Sequence, residues 1–89
     1  MHKATDRFWH CFNKLPEPIQ KLSHRIFSLL KTNPSHPSLH FKKVGKFWSV
    51  RIGMNFRALA IKQEEDFIWV WIGTHDEYEK MIKEGKQII

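Results

Sequence analysis

Eighty-nine residues, 42% of them apolar and including four Trp and seven Phe, suffice for one domain over residues 1–89 with a single core, and exclude a disordered chain. A formal charge of +6 and a pI near 9.7 direct attention to an acidic partner. Nucleic acid is the first candidate and an acidic protein the second, set against the plain alternative of a solvated basic surface.

Thr5 or Asp6 can cap a first helix in which Phe8, Phe12 and Leu15 recur at helical spacing with Trp9 beside them, closed by Pro16. Cys11, the lone cysteine, falls in this helix and reads as a small packed hydrophobe. A second helix is expected from about Pro18 to Lys31. Its stripe is Ile19, Leu22, Ile26 and Leu29 or Leu30, with Gln20, Lys21, His24, Arg25 and Ser28 outward. The prolines and small polar residues of Thr32–Ser38 form a fixed loop.

From Leu39 the apolar period changes to two. Leu39–Val44, Trp48–Ile52, Phe56–Ile61 and Asp66–Gly73 read as four strands, the last following the turn Gln63-Glu64-Glu65. Short connections make them an antiparallel meander, and the third of the four, read as lacking alternation, is expected in a central position with both faces covered or half-covered by aromatics. If Gly53-Met54-Asn55 is a three-residue loop, Arg51 opposes Arg57 and both project from one face. A slip of one residue would separate them. Asp76–Glu84 can form a short polar helix, with a tail after it. The fold class is therefore α+β, two N-terminal helices on one face of a small twisted antiparallel sheet of about four strands, with the other face partly open.

Arg57 interrupts an otherwise apolar strand, where solubility does not call for a charge. A guanidinium held there can bind a phosphate through two parallel hydrogen bonds and stabilise a pentavalent transition state. The bland alternative is an ion pair with Glu64, Asp66 or Glu77. Arg51, an exposed strand arginine, is more ordinary. His75 follows the end of the buried strand, and imidazole suits proton transfer near neutrality, although a histidine there is more often a hydrogen-bonded cap. His40, read as lying on the first strand beside Lys42 and Lys43, is a second proton carrier or a surface histidine. Tyr78 follows His75 by three residues, so both can share a helix face. Trp48, Trp69 and Trp71 read as core before they read as a stacking platform. One cysteine, scattered histidines and the lack of a Gly-rich loop or nucleophile motif leave no expectation of a metal, a cofactor, nucleotide hydrolysis or acyl transfer. No apolar run approaches the roughly 20 residues of a membrane span. Met1–Asp6 is short and polar, unlike a secretory leader, so a cytoplasmic location is expected.

The order of Leu15-Pro16, Ile19-Gln20, Asn33-Pro34, His36-Pro37-Ser38-Leu39, Trp48-Ser49-Val50-Arg51, Phe56-Arg57-Ala58-Leu59 and Trp71-Ile72-Gly73-Thr74-His75 with Tyr78 resembles the RelE/ParE superfamily of type II toxin–antitoxin toxins. The resemblance spans nearly the whole chain, and its specificity lies in order and spacing. It implies an mRNA endonuclease acting in the ribosomal A site, silenced by a cognate antitoxin and needing no metal. On that resemblance Arg57 matches the strand arginine at the scissile phosphate, Arg51 a basic position on the preceding strand, and His75 the group that protonates the leaving oxygen. His40 is the candidate base, Tyr78 a stacking group, and Lys42, Lys43 and Ser49 substrate contacts. RelE carries a lysine where this chain has Ser49, its tyrosine comes later, and Asp76, Glu77 and Glu79 make this segment more acidic. A ParE-like inhibitor of DNA gyrase and a degenerate member retaining only antitoxin binding are the alternatives.

Overall fold

Five strands and three helices follow one another in the computed structural model, which describes residues 1–84. They are β1 (His2–Ala4), α1 (Asp6–Asn13), α2 (Glu17–Thr32), β2 (Lys42–Val44), β3 (Phe47–Ile52), β4 (Phe56–Gln63), β5 (Asp66–Thr74) and α3 (His75–Glu84), with a 3-10 turn at Pro37–Leu39. The tail expected after Glu84 lies outside the described residues.

The sheet order is β1-β5-β4-β3-β2, antiparallel throughout except that β1 pairs in parallel with β5. The expected four-strand meander is thus a five-strand mixed sheet. Three residues, His-Lys-Ala, are too few to show a period, so β1 left no pattern to read. Tertiary partners make it a strand. Trp69 Nε1 donates to His2 Nδ1 at 2.9 Å, and Lys3 Nζ meets Asp66 at 3.1 Å. The addition moves β5 from an edge to the interior of the sheet, while α1 and α2 cover one face of its apolar run and α3 the other.

The helices begin and end where their side chains supply partners. Thr5 Oγ1 accepts from the Phe8 amide at 3.1 Å and caps α1. At the other end Gln20 Nε2 donates to the Phe12 and Leu15 carbonyls, at 3.1 and 3.3 Å. Gln20, expected outward, thus ties α2 back to the end of α1, adding a second donor to the Phe12 carbonyl and one to that of Leu15. Ser23 is also buried, its hydroxyl donating to the Ile19 carbonyl at 2.7 Å.

Phe8, Phe12 and Leu30 from the helices meet Val50, Ile52, Ala58, Ala60, Trp69 and Ile72 on one sheet face, while Leu59, Trp71 and Phe47 lie on the other beneath Tyr78, Met81 and Ile82 of α3. Trp69 and Trp71 are two apart yet occupy opposite faces. Leu59 pairs with Trp71 and the next residue, Ala60, with Trp69, so Val70 is a bulge that reverses the facing. Alternation fails along this strand for that reason as well as for burial.

His2 stacks on Phe67 with ring centroids 5.4 Å apart, and its Nδ1 must stay unprotonated to accept from Trp69. Burial first, then the N-terminal ammonium and Lys31, lower its pKa below the ordinary histidine value. The folded state is the weaker proton binder, so the contribution is complete above about pH 6.5 and is lost as pH falls through the depressed folded value. His2→Ala is expected to cost about 1 kcal/mol at pH 7.5, with the gap to the parent narrowing below about pH 6. Thermal unfolding of both proteins at the two pH values checks this, and a constant gap removes His2 from the acid response.

Candidate active site

The three-residue loop sets the register that the two arginines require. Ile52 pairs with Phe56 and Arg51 with Arg57 across Gly53-Met54-Asn55, with Gly53 at φ 66° in the left-handed region that favours glycine. Arg51 Nε donates to the Gly53 carbonyl at 3.1 Å, and Arg57 Nη1 to the Phe56 carbonyl at 2.8 Å. Backbone oxygens of the loop and of the first residue of β4 thereby hold two guanidinium groups side by side. Burial first, and then the adjacent Arg51 charge, pull the Arg57 pKa below its usual value, opposed by Tyr78 and Glu79. Two cations crowded into a partly desolvated place repel each other, and an anion between them would relieve that repulsion.

The ion-pair alternative for Arg57 does not hold among the described residues. Asp66 pairs with Lys3, and Glu77 is engaged at the start of α3. Glu64 stands in the β4–β5 turn, at the far end of the strand from Arg57.

His75 opens α3, directly after the last residue of β5. Thr74 Oγ1 accepts from the Glu77 amide at 3.2 Å, and Glu77 Oε1 accepts from the Thr74 amide and hydroxyl, both at 3.0 Å. This reciprocal pair is a capping box, legible in the sequence as Thr74-x-x-Glu77, and it starts α3 one residue before the expected Asp76. The His75 amide donates to the Asn55 carbonyl at 2.7 Å, tying the helix start to the arginine loop. Its ring stacks on Tyr78, with centroids 6.0 Å apart at 29°, and its Nε2 lies 3.1 Å from Glu79 Oε1. Spacing alone pointed to Tyr78. Glu79, four residues on and read from the sequence only as acidic charge, is the ring's ionic partner.

Gly73 lies opposite Arg57, and the Trp71 indole folds over it. A Cβ there would overlap that ring and stand 2.9 Å from Glu77 Oε1. Gly73→Ala is expected to destabilise the fold by about 1–3 kcal/mol, measured by denaturant unfolding, because neither the buried indole nor the capping carboxylate can yield cheaply. A neutral result would show that α3 is free to shift.

His40 is not on a strand. It follows the 3-10 turn with φ 46°, and its Nε2 lies 3.2 Å from Arg51 Nη1. A guanidinium only donates, so Nε2 is the accepting nitrogen in this contact. His36, four residues earlier, has different partners: its Nδ1 accepts from the Ser38 amide at 3.2 Å. Among the described residues no three His, Cys, Asp or Glu side chains gather as metal ligands.

The remaining expected contacts divide. Lys42 pairs with Ser49 and shares the open face with Arg51, whereas Lys43 pairs with Trp48 and points to the helix face. Strand alternation, which the flat pairing of the two lysines ignored, separates them. Ser49 is buried at 3% exposure and cannot reach a substrate directly. Trp69 and Trp71 are buried core, and Trp48 is half-buried, so the three tryptophans do not form one platform.

Four strands under two helices, a fifth strand in parallel and a helix across the far face constitute a specific topology. The toxin in the RelB–RelE antitoxin–toxin complex from Methanococcus jannaschii superposes with a TM-score of 0.70 over 88% of this chain and 95% of its own, at 16% identity. The chain has the RelE fold. The isolated E. coli RelE toxin matches at TM-score 0.62 and 10% identity, covering 97% of this chain and 98% of its own. The toxin–antitoxin complex RelBE2 from Mycobacterium tuberculosis matches at 0.64 and 18%, covering 84% and 96%. No protein-family model and no curated protein sequence matches the chain. At such identities the RelE likeness is one of backbone, and the side chains must carry any reading of activity. No helix among the described residues is long and apolar enough to cross a membrane.

Proposed function

We propose that this chain is the toxin of a type II toxin–antitoxin pair, in the RelE/ParE superfamily, and that it cleaves mRNA in the ribosomal A site. The observation that carries the reading is the Arg51–Arg57 pair held on the open face by backbone carbonyls, with His75 and Tyr78 delivered beside it by the Thr74–Glu77 capping box. RelE-fold structures solved as toxins, two of them with antitoxins, support the partner class.

In the proposed reaction the ribose 2′-oxygen attacks the adjacent phosphorus and the P–O5′ bond breaks, leaving a 2′,3′-cyclic phosphate and a 5′-hydroxyl. Arg51 and Arg57 stabilise the charge that builds on the non-bridging oxygens. A phosphate that draws Arg51 toward itself frees His40 Nε2 to take the 2′-hydroxyl proton, since that nitrogen otherwise accepts from the guanidinium. His75 gives a proton to the departing 5′-oxygen. Glu79, on the His75 ring nitrogen, positions the imidazole.

A second reading, a binder that blocks its target without chemistry, draws on the same contact, because Glu79 holds one of the two ring nitrogens of His75. Primer-extension mapping of mRNA on programmed ribosomes separates the two. New 5′-hydroxyl ends inside A-site codons, absent without ribosomes, support the enzyme; stalled ribosomes with intact mRNA support the binder.

A further inference from the structure

Basic residues also gather away from the arginines, at the opposite end of the sheet and on its other face. Lys43 and Trp48 are cross-strand partners on β2 and β3, and Lys62 faces Phe67 across β4 and β5. With Lys46 and Glu64 they line an open cleft of about 480 Å³. Lys62 Nζ lies 6.0 Å from the Trp48 ring centre and 5.6 Å from that of Phe67, and Phe41 backs both rings at 5.1 and 5.2 Å. The exposed lysines Lys43 and Lys62 over an aromatic wall suit a ligand that is both anionic and flat.

We propose that this cleft is a second nucleic-acid contact, binding the backbone of single-stranded RNA with a base against the Trp48 wall. Lys62 and Lys43 are exposed and long-stemmed, so the Lys62 ammonium can leave the ring for a phosphate and open the ring to a base. Single-stranded RNA is favoured over an acidic protein because stacking on the wall rewards a base, whereas a carboxylate would gain from the lysines alone. The route between the sites is the edge strand β2, which presents Lys42 to the open face and Lys43 to the other. Three strand residues, ~10 Å, separate Trp48 from Arg51 along β3. That route rests on the reading of the open face as an RNA site; binding in the cleft does not.

The test is fluorescence anisotropy with a labelled single-stranded RNA of about 12 nucleotides, a length within the usual site size. The parent, the double variant Lys43→Glu/Lys62→Glu and Arg57→Ala are compared across salt. The double variant, altered only at exposed side chains, is expected to bind about 10-fold or more weaker and to flatten the log–log salt slope by about 1.4, for two lost phosphate contacts. A parent-like affinity and slope overturns the proposal, as does a parent that binds no RNA. Displacement by polyglutamate as effective as by unlabelled RNA of equal charge also overturns it, in favour of an acidic protein partner. Loss of binding in the double variant with no mRNA cleavage by the parent supports the cleft while overturning the endonuclease.

Discussion

Arg57→Ala is expected to slow mRNA cleavage on the ribosome by about 100-fold or more while the protein still folds, corresponding to ~3 kcal/mol of transition-state stabilisation. Among the described residues the side chain's hydrogen bonds go to the carbonyls of Gly53 and Met54 in the loop and of Phe56 at the start of β4. Relief of the repulsion with Arg51 offsets part of the lost packing. Thermal unfolding should therefore change little. Single-turnover cleavage together with unfolding checks both halves: unchanged cleavage at normal stability removes Arg57 from the chemistry, and a collapsed melting temperature assigns it to the fold.

His75→Gln separates the enzyme from the binder. Loss of a positioned proton donor is expected to lower the single-turnover rate by about 100-fold or more, with ribosome co-sedimentation preserved because that binding rests on distributed charge. The backbone bond from His75 to the Asn55 carbonyl does not depend on the side chain, so α3 should keep its place. Glu79→Gln, which weakens the hold on the His75 ring without removing it, should give a smaller loss of about 10-fold. Full activity in His75→Gln leaves the ring as a partner for Tyr78 and Glu79 and favours the non-catalytic reading.

Much of the architecture was legible because each feature has a local cause. The apolar stripes of α1 and α2, the change of period after the Pro34–Pro37 loop, and the Gly53-Met54-Asn55 turn all act over a few residues. Even the facing of Arg51 and Arg57 followed from loop length, since a three-residue loop fixes which residues oppose each other. The capping box was also written in the chain, as Thr74 and Glu77, and it places His75 one residue inside α3 rather than before it.

What the sequence determined by itself was therefore the set of short-range choices: two amphipathic helices, the hairpin and its paired arginines, the apolar strand that ends near His75. Only the tertiary structure decided the rest. β1 exists because Trp69 and Asp66, more than sixty residues away, supply partners for His2 and Lys3. The Val70 bulge sends Trp69 and Trp71 to opposite faces, and His40 meets Arg51 by way of a left-handed turn. Each of these depends on contacts between residues distant in the chain, which carry no periodicity and leave no local trace; they form only once the apolar face of the sheet has been buried and the free backbone and ring nitrogens must find partners within the fold.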